Sequence, residues 1–244
     1  MAAPLIEAHY TFAFLTKDVA GNPELQGEAY EFIRNGNQGI LLADFPLRDL
    51  TNPDIRCNVG GEQAGTAKTF TAEAGTSLGF QFLSPSSQMH PGPAGVYMSK
   101  APAAVSDYDG SGDWFKIHEE SVKDDLSLLG AEAWTTFEKL GVNFTIPKDV
   151  PAGEYLIRVE HIGLQRVPTG EAEFYVSCAQ IKVTGGGTGK PEPLVKIPGY
   201  LNADDPGLKY DMFSATRPDY RTIVPGPDVW PAPAPAKKSK SKRT

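Results

Sequence analysis

Glu154–Gly187 reads EYLIRVEHIGLQRVPTGEAEFYVSCAQIKVTGGG, and this stretch decides the fold. Its first part, Tyr155 to Leu164, has the period-2 pattern of a strand. Leu156, Arg158, Glu160 and Ile162 share one side of an extended chain, and Ile157, Val159 and His161 share the other, so both sides carry polar residues. Pro168, Thr169 and Gly170 mark a turn. A second strand runs from Ala172 to Val183 and stops at Gly185-Gly186-Gly187. Because side chains alternate along a strand, Phe174, Val176 and Cys178 face one way and Glu173, Tyr175 and Ser177 the other. Cys178 is aimed at a core, while Tyr175 and Glu173 are aimed together at something else.

Working outward, the rest of the chain repeats this character. Further strands are expected at His9–Leu15, Glu28–Arg34, Val96–Ser99, Trp114–Ile117 and Asn143–Pro147, with Lys68–Ala72 and Ser77–Leu83 forming a pair around Gly75. Lys17–Gly27 and Asn35–Asn52 read as loops, and Asp124–Leu140 as the one helix. With 25 Gly, 21 Pro and no long 3.6-residue periodicity in 244 residues, an all-β sandwich with long loops is expected. After Gly187 a Pro/Gly-rich stretch to Trp230 reads as a strap over the body rather than a second domain. The tail from Pro231 to Thr244 is disordered by composition.

That tail holds five of the 23 basic residues and no acid, which leaves the body strongly acidic with all 30 carboxylates. Nucleic acid and anionic membranes need a basic footprint, so neither is expected as a partner, whereas a neutral polysaccharide is compatible. No run of 18 or more apolar residues exists to span a membrane. The two cysteines, Cys57 and Cys178, are either one disulfide or two buried thiols.

Of the four histidines, none forms an HxxxH or HExxH pair. His118 reads as a surface residue and His161 as structural. His90 lies between Met89 and Pro91-Gly92-Pro93, a rigid loop that suits a presented metal ligand, with Tyr175 and Glu173 facing the same metal. There is no Gly-x-Ser-x-Gly elbow and no phosphate loop. Acidic residues are numerous, but no glycosidase pair stands out. Asn143-Phe144-Thr145 matches the N-glycosylation triplet.

Several pieces, in order, carry a resemblance. They are His9-Tyr10, Asp54-Ile55-Arg56-Cys57-Asn58, His90-Pro91-Gly92-Pro93, Tyr97 to Pro102, Gly110 to Ile117, Phe144 to Pro147, Gly153 to Gly187, and Tyr220 to Pro227 with Val229-Trp230. In these the chain resembles the fungal lytic polysaccharide monooxygenases of auxiliary activity family 9, formerly glycoside hydrolase family 61. The resemblance implies an immunoglobulin-like β-sandwich with one flat face. It implies one copper ion in a histidine brace: the amino group and ring of His9, the ring of His90, and Tyr175 near the axial position. Three nitrogens and a distant phenol oxygen suit tetragonal Cu(II). An α-amine with a pKa near ~8 yields its proton to copper near neutral pH. The implied reaction is oxidative cleavage of a β-1,4-glucan such as cellulose, with O2 or H2O2 and an external electron donor. A Cys57–Cys178 disulfide, secretion and a monomer are implied too. Tyr220, on the strap, is the expected sugar-stacking residue.

Two positions depart from the family pattern. Gln165 stands where a histidine is usual, and Glu173 where a glutamine is usual. These groups act on bound oxygen species. Gln165 donates a hydrogen bond but does not shuttle a proton, and Glu173 adds a negative charge. His9 is also preceded by eight residues, and an amide nitrogen does not complete the brace in the usual way. The expected organisation is therefore a leader remnant or misassigned start at 1–8, a catalytic domain at 9–230 and a tail at 231–244. The other reading is a non-catalytic relative that binds copper or polysaccharide without turnover.

Overall fold

The structure is a computed structural model that describes residues 10–19, 22–35, 45–83, 89–125, 127–167 and 171–232. Among the described residues nine strands form: β1 (Phe12–Val19), β2 (Asn22–Gln26), β3 (Phe70–Glu73), β4 (Ser77–Phe82), β5 (Ala94–Lys100), β6 (Trp114–Glu120), β7 (Gly141–Thr145), β8 (Gly153–Gly163) and β9 (Glu173–Thr184). They form two sheets, ordered β2-β1-β4-β7 and β3-β9-β8-β5-β6. The expected all-β, immunoglobulin-like sandwich is what forms.

Alternation decides what lies between the sheets. Leu78, Phe80 and Phe82 of β4 and Val142 and Phe144 of β7 meet Val96 and Met98 of β5, Phe115 and Ile117 of β6, and Ile157 and Val159 of β8. Each such side chain stabilises the fold by roughly 1.5–3 kcal/mol on burial. The other face of the five-stranded sheet is buried as well. Tyr97, Trp114, Leu156, Phe174, Val176 and Cys178 pack there against loops and against strap residues including Ile197, Leu208 and Met212. This explains the polar residues on both sides of β8. Arg158 and Glu160 lie on the strap side, fully buried as an ion pair 2.6 Å apart. Arg158 also donates to the Ile55 and Arg56 carbonyls, and Tyr97 and Tyr200 donate to Glu160.

Four expectations about elements fail, the first being the loop at Lys17–Gly27, which holds β2 and the end of β1. Asp124–Leu140 forms no α-helix among its described residues, only a short 3-10 turn at Gly130–Ala133. Gly130 and Glu138 have φ of +62° and +63°, which breaks the periodicity, and Trp134 is drawn into the second core against Tyr210 and Tyr220. Glu28–Arg34 is a turn with one bridge, Ile33 to Ala179, and the strand lies earlier, at β2. β3 and β4 do not pair. Gly75, at φ +92°, turns the chain from one sheet to the other, so that β3 runs parallel to β9 while β4 pairs with β1 and β7.

The strap runs along the outer edge of the larger sheet. Val195 bridges Trp114 and Val229 bridges Lys116, and the Trp230 N–H donates to the Lys116 carbonyl at 2.7 Å. Cys57 and Cys178 are joined, which ties the loop around Asn58 to β9 across 121 residues. In the chain-entropy model a loop of that length stabilises by about 4–5 kcal/mol. Replacing both cysteines by serine is therefore expected to lower the urea midpoint, with a loss of several kcal/mol by linear extrapolation. A loss under ~1 kcal/mol would show that the docked loop holds without the bond.

Candidate metal centre

The site is built at one end of the β8–β9 pair. Beyond Ala94 the β5–β8 ladder continues irregularly, with the Ile162 N–H donating to the Pro93 carbonyl and the Leu164 N–H to the Pro91 carbonyl, both at 3.0 Å. The prolines have no N–H to return, so the pairing runs one way. Gly92 makes this approach possible: a Cβ there would lie 1.8 Å from the Ile162 carbonyl oxygen. Thr136 Oγ1 donates to the Gly92 carbonyl at 2.6 Å. This backbone rail carries His90, half-buried, to the end of the sandwich.

Two aromatic rings flank His90, and a third, His161, lies against both of them. Tyr10, just before β1, stacks on Tyr175 with centroids 4.1 Å apart, and its ring is 5.5 Å from that of His90. The Tyr175 ring is 5.7 Å from His90. The Tyr10 hydroxyl accepts the His90 N–H at 3.3 Å and lies 2.6 Å from His161 Nδ1. His161 is fully buried and sits 6.1 Å from Tyr175. Burial first, and the charge of His90 second, push the His161 pKa down to about 3. The ring is therefore neutral at ordinary pH and accepts the Tyr10 proton. Burial raises the Tyr10 pKa well above its ordinary value. The Tyr175 phenol also goes up, through burial and then the neighbouring Glu173 carboxylate.

Gln165 follows the end of β8, and Glu173 opens β9. Gln165 Nε2 donates to Glu173 Oε2 at 2.6 Å, and the Tyr175 hydroxyl donates to the same oxygen at 3.3 Å. Gln165 Oε1 is shut off from solvent and has no partner among the described residues. Arg48 forms a salt bridge with Glu173 Oε1.

His90, Tyr175, Gln165 and Glu173, chosen from the sequence, thus converge, and His161 is structural as expected. His9 lies outside the described residues. Tyr220 does not fit the sugar-stacking expectation: it has 0 % exposure, packs edge-on to Trp134 and Tyr210, and donates to the Gly207 carbonyl at 3.1 Å. A ring enclosed in this way offers no face to a ligand. Asn143 is exposed on β7. Tyr10 and Arg48 join the site through contacts far apart in sequence. The parity of Glu173 beside Tyr175 signals that a buried carboxylate needs a cation, but nothing local points to Arg48, 125 residues earlier.

The model of Auxiliary Activity family 9, formerly GH61, matches residues 9–220. The chain belongs to this family. It is 43% identical over 233 residues to the family 9 lytic polysaccharide monooxygenase G of Aspergillus tamarii, covering 93% of this chain and 68% of that one. Monooxygenase A of Aspergillus fumigatus is 42% identical, with 93% and 78% covered. Among solved structures, a cellulose-active polysaccharide monooxygenase from M. thermophila matches with a TM-score of 0.72 at 27% identity, covering 91% of this chain and 99% of that one.

The Tyr10–His161 contact can be tested on its own. His161 takes up a proton in the unfolded chain near its ordinary pKa of 6.5 and in the folded chain only near 3. The unfolded state binds more protons between those limits, so stability is full above pH 6.5 and is lost as pH falls towards 3. Urea unfolding of the metal-free protein is expected to lose about 3 kcal/mol between pH 7 and pH 4 through this group. A His161→Gln variant lacks that part of the slope. Equal slopes in the two proteins would contradict a buried neutral His161.

Proposed function

We propose that this family 9 chain is a secreted, copper-dependent monooxygenase that cleaves β-1,4-glucan chains such as cellulose oxidatively. One observation carries the reading: His90 and Tyr175 converge beside Tyr10, the residue bonded directly to His9. An imidazole nitrogen and a phenol oxygen are donors that suit Cu(II). Among the described residues no group of three or more His, Cys, Asp or Glu could hold a metal, so a complete donor set draws on His9. The residues that would hold the ion are then His9, through its amino group and ring, and His90, with the Tyr175 phenol oxygen as a further, weaker donor. The buried, unpartnered Gln165 Oε1 fits a centre that receives a further hydrogen-bond donor.

When bound, the copper supplies one-electron chemistry that activates O2 or H2O2 once an external donor has reduced it. The residues do the rest. Gly92 and Thr136 hold the His90 loop against β8. Tyr10 fills the space behind His90 and Tyr175 and excludes water from it. Glu173 takes the Tyr175 phenol and the Gln165 amide on one oxygen, which orients both. His161, neutral and buried, accepts from Tyr10 and is too enclosed to act as a proton shuttle. No histidine stands at position 165, so any proton delivered to an oxygen species comes from solvent or from groups other than Gln165.

The disulfide supports passage through an oxidising compartment. Exposed Asn143 is proposed as a glycan acceptor, and the acidic body supports a neutral polymer as partner rather than nucleic acid or membrane. The chain is proposed to act as a monomer.

Copper titration followed by EPR, on one form beginning at Met1 and one beginning at His9, tests the ligand set. The His9 form is expected to bind one Cu(II) tightly with a three-nitrogen tetragonal spectrum, and His90→Ala to abolish it. With reductant and peroxide that form is expected to release aldonic or C4-oxidised oligosaccharides from cellulose. A tight copper complex without oxidised products would instead support a binding relative, and weak, equal binding by both forms would remove the brace altogether.

A further inference from the structure

Glu173 is one of the two positions named above as departing from the family pattern, and its side chain is only 3% exposed. A buried carboxylate without a partner is strongly destabilising. The structure supplies one. Leu47 and Phe174 exchange both backbone hydrogen bonds at 2.9 Å, so Arg48 and Glu173 are cross-strand neighbours in the adjoining non-hydrogen-bonded pair. Side chains approach closest in such pairs. The Arg48 guanidinium meets Oε1, which leaves Oε2 for the Gln165 amide and the Tyr175 phenol. Arg48 is 43% exposed on its other side, where it lines a cleft of about 1290 Å³ with Thr51, Phe174, Tyr200 and Asn202.

We propose that Arg48 is a positioning residue of the metal centre: paired across the strand with Glu173, it cancels the carboxylate charge beside Tyr175 and holds the second carboxylate oxygen on Gln165. The proposal rests on the reading of the site as a copper centre. An amide at position 173 is neutral and needs no counter-ion. A glutamate there with Arg48 is again neutral in sum, and as an acceptor it is stronger than an amide. The carboxylate also fixes which way the Gln165 amide is turned. Its Nε2 must donate to Glu173, so Oε1 is left as the buried acceptor. A carboxylate without Arg48 would favour Cu(II) over Cu(I) by its charge alone.

The test is a double-mutant cycle of Arg48→Met and Glu173→Gln, with Arg48→Lys as the charge-preserving control. In metal-free full-length protein, Arg48→Met is expected to lower the folding equilibrium constant about tenfold, and much less once Glu173→Gln is present. In the copper-binding form, Arg48→Met is expected to raise the ratio of Cu(II) to Cu(I) affinity about tenfold, a fall of about 59 mV for a one-electron couple. The Glu173→Gln background abolishes that shift, and Arg48→Lys restores most of the native potential. A shift of the same size in both backgrounds, or none in either, overturns the proposal. If no variant binds copper while the unfolding coupling persists, the copper reading has failed. If copper binds and the coupling is absent, this proposal alone has failed.

Discussion

β8 and β9 are paired from Gly153 with Val183 to Gly163 with Glu173, and both faces of that pair are covered. The other features hang from this constraint. A strand with one wet face tolerates polar residues freely, whereas a strand buried on both sides must give each a partner. Arg158 and Glu160 answer each other under the strap, Gln180 answers Arg34, and Glu173 answers Arg48. The far side of β9 is filled piecewise by Leu47, Ile33 and β3. Those segments bring Arg48 to the centre, so a packing requirement and the chemistry of the site share one solution.

The two sides of β9 divide the labour. The side carrying Val176 and Cys178 is stitched to the loop around Cys57, where the disulfide, the Arg158 bonds to Ile55 and Arg56, and the Asn58 side chain on the Val176 carbonyl act together. The side carrying Tyr175 and Ala179 looks into the space between the sheets. Tyr175 is the last core ring of that row before Glu173, where the interior opens towards His90. A phenol oxygen at this point is held by the core behind it, which is how a side chain on a rigid strand gains precision over one on a loop.

The sequence made part of this legible. Alternation placed Tyr175 and Glu173 together and Cys178 on the opposite side, because period 2 is a geometric property of any strand. The rigid Pro91-Gly92-Pro93 run identified the His90 loop. The pairing partners were beyond it. β3 and β4 look like a hairpin from composition, and only the turn at Gly75 sends them to different sheets. Trp134 and Tyr220 carry no sign of whether they are wet or enclosed, since an aromatic ring serves equally well on a binding face and in a core, and both lie in the second core. Arg48 and Tyr10 act through contacts 125 and 151 residues away in sequence, a distance at which local pattern says nothing.

The strap has a consequence for the molecule in solution. β6 is the outermost strand of the larger sheet and begins Trp114-Phe115-Lys116-Ile117, an apolar run with backbone groups facing outward. Such an edge is a template for pairing with another chain. Val195, Val229 and Trp230 occupy those backbone groups at Trp114 and Lys116. The extended C-terminal segment thus works as a guard on the edge. At Trp114 and Lys116, strand addition by a second copy meets backbone groups already taken by the chain's own strap.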